Sequence, residues 1–241
     1  MMSEHAENEY SSGLYKEYVG AAALKYETFR RRMALIRKKA TGVRLLDVGC
    51  SSGYFIEVAL ENGFDAYGIE LSSRAISLAK ENIRKRITQG DVNILGQSGE
   101  NPYDVIVAFD IIEHTQDPLL FLRSIKELLK PGGCIVLSTP DTGHFVRSVM
   151  GSRWPMLQPL QHTYLFSKRA ISRALEMAAY HDLRISNAYK VLSIEYLVGQ
   201  VRHYNPLLFH AYRAARIFMP EFLRQKPFSI NIGEMLVLCN G

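Results

Sequence analysis

Apolar residues recur at Ala22, Tyr26, Phe29, Met33, Ile36 and Ala40, a helical spacing that predicts a helix from Ala22. The apolar run Val43 to Val48 then predicts a buried parallel strand, followed by a helix over Gly53 to Asn62 that stops at Gly63. Ala66 to Leu71 predicts a second strand. Ser72 or Ser73 caps a helix reaching about Arg84, with Ala75, Ile76, Ala79 and Ile83 inward. A short strand near Ile87 ends at Gly90-Asp91. Tyr103 to Asp110 is almost wholly apolar, the pattern of a central strand covered on both faces. Asp117-Pro118 opens a helix with Leu122, Ile125, Leu128 and Leu129 inward, and Pro131-Gly132-Gly133 ends it. Cys134 to Thr139 is another buried strand. Ser167 caps a helix to about Tyr180, a strand follows near Leu183 to Val191, and Ile232 to Cys239 is the last strand.

Strands alternating with helices imply a doubly wound α/β fold, a mostly parallel sheet with right-handed crossovers. The 241 residues suit one large domain with a small appended element, and 47% hydrophobic residues can bury a substantial core. No apolar run reaches the length of a membrane span, and the polar, acidic start Met1-Met2-Ser3-Glu4-His5 does not read as a signal peptide. Cys50, Cys134 and Cys239 lie far apart and read as buried free thiols, so neither a disulfide nor a metal is expected, and the cytoplasm is the expected compartment. The net charge is +5, concentrated in Arg30-Arg31-Arg32, Arg37-Lys38-Lys39 and residues 190–228. No nucleic-acid motif accompanies these charges, so a solvated helix face is the expected reading and no nucleic-acid partner is expected.

The chemistry begins where the first strand ends, at Asp47-Val48-Gly49-Cys50-Ser51-Ser52-Gly53. Gly49 lets the backbone approach a ligand, and Ser52 is placed to cap the next helix. Glu70 ends the second strand 21 residues after Gly49, where a doubly wound fold puts a carboxylate on ribose hydroxyls. The glycine pattern of a dinucleotide site is missing, and so is the Gly-Lys-Ser/Thr of a phosphate loop. Asp47 would repel phosphate and suits a cationic ligand. Asp110 and Ile111, just past the fourth strand, face the crevice at the carboxyl ends of the strands.

The loop from Asp47 to Gly53 resembles the first motif of class I S-adenosylmethionine (SAM) dependent methyltransferases, usually Asp-x-Gly-x-Gly-x-Gly. Ser51 departs from it at the middle glycine, which a serine tolerates only at negative φ. Tyr103 to Val107 through Glu113-His114, then Asp117-Pro118 and Leu128-Leu129-Lys130-Pro131-Gly132-Gly133, resembles the shared core of the small-molecule methyltransferases. The subset that includes the ubiquinone-biosynthesis type is the most similar, and Arg153-Trp154, His162 and Phe166-Ser167 fit it too. The resemblance implies a Rossmann-like seven-stranded sheet whose antiparallel last strand lies beside the fifth. It implies SAM as cofactor and S-adenosylhomocysteine as product. It places Asp47 and the backbone of Gly49, with Cys50, Ser51 and Gly53, around the methionine end. It sets Glu70 on the ribose, Leu71 on adenine, and Asp91 with Val92 at the adenine amino group, although Asp91 equally reads as a turn residue.

The acceptor side is less constrained. His114 and His162 are candidates for a base or an acceptor contact, and His144 is expected to be exposed. A structural hydrogen bond is an equal reading for His114, and an amine acceptor would need no base. In residues 193–228, Leu208, Ala211, Tyr212, Ala215, Phe218 and Met219 share one helix face, with Arg213 and Arg216 on another. This insertion reads as a cap over an apolar acceptor, a peripheral membrane contact, a helix packed on the domain, or a homodimer contact. The expected organisation is an N-terminal helical lid over 1–40, to which Tyr15 and Tyr18 could add, and a SAM-binding methyltransferase domain over 41–241 carrying a helical cap insertion. The expected function is methyl transfer to a small or lipid-like acceptor, on oxygen rather than nitrogen or carbon. A SAM-binding module without catalysis is the alternative.

Overall fold

In the computed structural model, residues 22–92, 94–95, 103–198 and 206–241 are described. The expected flexible start, with Tyr15 and Tyr18, and the side chains of Leu208, Ala211 and Arg213 lie outside the described residues.

Helix α1 (Ala22–Arg37) leads into β1 (Arg44–Val48), α2 (Tyr54–Glu61) and β2 (Asp65–Glu70). The single helix expected after Ser72 is two short ones, α3 (Ser73–Ser77) and α4 (Glu81–Arg84), before β3 (Ile87–Gln89). Ser72 accepts from Ala75 N at 3.2 Å and is the cap. Next come β4 (Tyr103–Phe109), a 3₁₀ turn (Ile112–His114), α5 (Pro118–Glu127) and β5 (Leu129–Pro140). Asp117 caps α5 through Leu119 N and Leu120 N, with Pro118 in the first turn. Leu129 is not on the helix: it opens β5 opposite Tyr103, and Pro131 to Gly133 form the irregular stretch before regular pairing resumes at Cys134.

Beyond β5 lie α6 (Phe145–Met150), α7 (Lys168–Met177), β6 (His181–Asn187) and β7 (Lys190–Leu192). The one strand expected over Leu183 to Val191 is therefore two strands in different sheets. The chain continues through α8 (Pro206–Ala215), α9 (Glu221–Gln225), β8 (Phe228–Ile230) and β9 (Glu234–Asn240). The seven-stranded sheet runs β3-β2-β1-β4-β5-β9-β6, and β7 pairs with β8 in a separate two-stranded sheet. Strands β3, β2, β1, β4 and β5 pair in parallel, while β9 is antiparallel to both neighbours.

The inner strands are the apolar ones, as double coverage requires: Val105, Ile106, Val107 and Ala108 are fully buried, as are Ile135, Val136 and Leu137. One layer packs Leu122, Ile125, Ile171 and Leu175 against the sheet; the other packs Met33, Ile36, Phe55 and Ile56. Phe29, Phe55 and Phe109 meet with ring centroids 5.0 to 6.0 Å apart, fastening α1 to α2 and β4. Cys50, Cys134 and Cys239 are buried free thiols. No described helix is long and apolar enough to cross a membrane.

Candidate active site

Loops at the carboxyl ends of β1, β2 and β4 form the site, because parallel strands aim all of their following loops at one edge. Gly49 has φ 73°, and its amide donates to Ile69 O at 2.8 Å. A Cβ there would lie 2.1 Å from Ile111 Cδ1, so glycine is demanded by backbone conformation and by the neighbouring side chain together. Ile111 thus closes over the loop.

Two expectations for this loop are corrected. Ser51 has φ 51°, not a negative value, so a residue with a side chain holds the left-handed conformation that favours glycine. Ser52 does not cap α2. The cap position is Gly53 at φ 78°, and Ser52 Oγ is buried with no hydrogen-bond partner among the described residues. Gly53 also packs where a Cβ would meet Ile83 Cγ2 at 2.3 Å. Cys50 is a packing residue: its Sγ fills the space that a Cβ on Gly68 would take, and burial pushes its thiol up.

The strain at Ser51 has an evident compensation. Glu70 Oε2 accepts from Ser51 N at 2.8 Å, and Oε1 accepts from Ser72 N at 2.9 Å. Glu70 therefore ties the loop after β1 to the loop after β2. Asp47 lies beside it, buried, in register with Gly68 and Val107. Burial, then the nearby negative charge of Glu70, pushes the Asp47 carboxyl up, and it makes no ion pair among the described residues. Leu71 is half-buried next to Glu70. Asp91 is half-buried and Val92 buried after β3, on the same edge of the sheet.

Asp110 sits where β4 ends, at φ 58°. Its amide donates to Ser138 O at 3.0 Å, and its Oδ1 accepts from Ser138 Oγ at 2.7 Å. Lys190 Nζ donates to its Oδ2 at 3.1 Å. Burial would raise this carboxyl, but the charges of Lys190 and then Arg32 outweigh that and hold it well below the usual range. Arg32, Lys190, Ser138 and Glu234 were not singled out from the sequence. A lone lysine leading the apolar Val191-Leu192, and a glutamate leading the apolar run of β9, were the available signals.

His114 and His162 come together although 48 positions apart, with ring centroids 4.8 Å apart. The segment carrying His162 is brought in by Tyr164 N, which donates to Glu113 O at 3.1 Å. Trp154, 1% exposed, anchors that segment by donating from Nε1 to Ile232 O at 3.1 Å. His114 Nδ1 lies 3.0 Å from Gln161 O, and His162 Nδ1 lies 2.8 Å from Met156 O. A carbonyl only accepts, so Nδ1 carries the proton on each neutral ring and Nε2 keeps a lone pair. Burial, then the neighbouring His114, lowers the pKa of His162. Glu113 is buried below the pair, accepts from Thr139 Oγ1 at 3.0 Å, and is pushed up by burial and then by Asp110. Glu113, His114 and His162 each offer a ligand atom within 4.8 Å of the others, a grouping able to hold a metal ion that sequence reading did not anticipate. His144 is not exposed: it is 9% exposed and caps α6 by accepting from Val146 N.

The same architecture occurs in solved methyltransferases. A SAM-dependent methyltransferase of Thermotoga maritima, described as a possible histamine N-methyltransferase, superposes with TM-score 0.61 at 14% identity over 100% of this chain and 99% of that one. The magnesium protoporphyrin IX methyltransferase of Synechocystis, solved with bound S-adenosylhomocysteine, gives TM-score 0.61 at 12% identity over 100% and 99%. In sequence, the ubiquinone biosynthesis O-methyltransferase of Cereibacter sphaeroides is 32% identical over 134 residues, 53% of this chain and 54% of that protein. That of Acinetobacter baylyi is 28% identical over 186 residues, 73% of each. The matched region is thus about half the length of the first of these relatives. A family model described as a methyltransferase domain matches residues 18–183, which takes in every loop of the site from Asp47 to His162. On that match and this fold, the chain belongs to the class I SAM-dependent methyltransferases.

Proposed function

We propose that this protein transfers the methyl group of SAM to an oxygen of a small or lipophilic acceptor. The observation that carries the cofactor half of this reading is the Glu70 carboxylate. It is fixed by two backbone amides at the end of β2, where a doubly wound fold places a carboxylate on a ribose diol. The buried Asp47 carboxylate, without an ion-pair partner among the described residues, suits the methionine ammonium. The backbone of Gly49, Cys50, Ser51 and Gly53 lines that end of the ligand. Leu71 packs on adenine, Asp91 and Val92 face its amino group, and Asp110 and Ile111 wall the crevice.

The similarity to ubiquinone O-methyltransferases supports oxygen as the methylated atom. Held by these residues, SAM would supply an activated methyl carbon to the acceptor oxygen. SAM supplies its own leaving group, so the chain's contribution is positioning, exclusion of water and removal of one proton. His162 takes that proton at Nε2. Its neutral form is favoured by burial and by His114, which completes this wall. The described residues 206–228 act as a cap. The exposed apolar side chains Phe145, Val149, Leu160, Phe218 and Phe222, all beyond Pro140 in the chain, suit a lipophilic acceptor or a membrane surface that supplies one.

Calorimetry with S-adenosylhomocysteine tests the cofactor assignment. Wild type binds, and Glu70→Ala binds about 100-fold more weakly, the loss of two charge-assisted hydrogen bonds. No binding by the intact protein sinks the proposal. Transfer of labelled methyl to phenolic acceptors with none to amines supports oxygen, and the converse overturns it.

A further inference from the structure

Asp110 does not stand alone at the end of β4. Around it runs a closed ring of polar contacts drawn from five separate parts of the chain. Lys190 of β7 hydrogen-bonds Asp110 at 3.1 Å and ion-pairs with Glu234 Oε2 of β9 at 2.6 Å. Arg32 of α1 donates from Nη2 to Glu234 Oε1 at 2.6 Å and from Nη1 to Ser138 Oγ at 3.2 Å. Ser138 of β5 returns to Asp110 at 2.7 Å. Two cations face two carboxylates, so the ring is neutral as a whole. It is also anchored: Arg32 and Glu234 are 5% and 1% exposed, and the Arg32 guanidinium lies 4.5 Å above the Phe109 ring.

Within this ring Lys190 is the member that touches both carboxylates. It fixes the direction of the Asp110 Oδ2 edge while Ser138 fixes the other edge. It also comes from the first residue of β7, the strand that leads into 193–228. Asp110 needs such help. Its φ of 58° lies in the left-handed region that favours glycine, and the negative charge of Glu113 acts on its carboxylate from nearby.

We infer that Lys190 is a positioning residue for methyl transfer: it orients the Asp110 carboxylate at the cofactor crevice. The inference rests on the reading of Asp110 as a crevice wall. Other titratable groups facing Asp110 are Arg32, Glu234, Glu113 and His162; Glu234 also lies within hydrogen-bonding reach of the Asp110 carboxyl, and Lys190 is the cation that pairs with its Oδ2.

Three measurements test it. In Lys190→Met the Asp110 carboxyl, followed by carbon NMR without any cofactor, titrates at higher pH than in wild type; an unchanged titration overturns the proposal. The KM for SAM rises about tenfold with a smaller change in kcat, and Lys190→Arg restores it. In a cycle with Asp110→Asn, adding Lys190→Met costs no further S-adenosylhomocysteine affinity, because Lys190 acts through the carboxylate already removed. Additive losses in that cycle mean a merely structural lysine and overturn the proposal. Should Lys190→Met not fold, Lys190→Gln takes its place in every arm. The NMR arm needs no ligand, so failure of the methyltransferase reading, seen as wild type binding no S-adenosylhomocysteine, is distinguishable from failure of this one.

Discussion

The loops after β1 and β2 differ in construction from the part of the site that lies beyond Pro140. The first is built from neighbours in sequence. Ser51 and Ser72 donate to Glu70, 19 and 2 positions away, and Gly53, at φ 78°, opens α2 directly. The second is built from strangers. Lys190 meets Asp110 across 80 positions, Arg32 meets Glu234 across 202, and His162 meets His114 only because Trp154 and Tyr164 fasten the intervening segment. Short-range construction tolerates little variation in residue type but shows in the sequence as a motif. Long-range construction places a few polar groups with equal definition, and leaves no local spacing to read. The two halves also differ in what they expose. Glu70 and Asp47 are buried, whereas Phe218 and Phe222 of the insertion are 84% and 70% exposed.

Removing a cation from the long-range half is expected to have the largest effect. Arg32→Met leaves Glu234 buried with Lys190 alone, and unfolding in urea is expected to show a loss of about 4 kcal/mol at neutral pH. Burial and Asp110 already push the Glu234 carboxyl up, and the substitution pushes it further. The folded variant then binds protons where its unfolded chain does not, so its stability falls as pH rises through that window. The deficit against wild type therefore narrows as pH is lowered from 7 towards 4. A deficit independent of pH would assign Arg32 to packing on Phe109 rather than to charge.

A smaller and opposite effect is expected in the short-range half. Ser51→Gly relieves a left-handed serine, which is worth about 1 kcal/mol after the greater freedom of glycine in the unfolded chain is deducted. A rise in the urea midpoint checks this. A fall would mean that the Ser51 side chain holds the loop, and the contrast between a motif-defined loop and its one departure would disappear.

The smallest effect is expected at the insertion. Phe218→Ser removes a side chain that is 84% exposed, and stability should change by less than about 0.5 kcal/mol. Transfer to a lipophilic acceptor presented in vesicles should nevertheless drop. A large loss of stability would show that this side chain is covered, and would remove the difference in exposure between the two halves.

The apolar face expected for the insertion shows how far periodicity reaches. Helical spacing puts Phe218 on one face with Tyr212 and Ala215, yet the helix ends at Ala215, Phe218 falls in a 3₁₀ turn over Arg216–Phe218, and it is exposed. Similarly, the run from Leu183 to Val191 reads as one strand, but Asn187 ends pairing with β9 and Lys190 begins pairing with β8. Local propensity does not encode a change of partner sheet.

The alternation of strands and helices, the buried central strands, a cap at Ser72 or Ser73, those at Asp117 and Ser167, and the glycine-bearing loop with its acidic partner Glu70 are all legible in the residue pattern. Each depends on side chains within about twenty residues, where covalent connection already limits the geometry. Long-range packing settled the rest. It set Ile111 over Gly49, left Ser51 at positive φ, and left Ser52 without its cap. It closed Arg32, Ser138, Asp110, Lys190 and Glu234 into one ring and brought His114 to His162. These contacts arise because parallel strands deliver distant loops to one edge of the sheet, and burial favours pairing of the opposite charges brought together there.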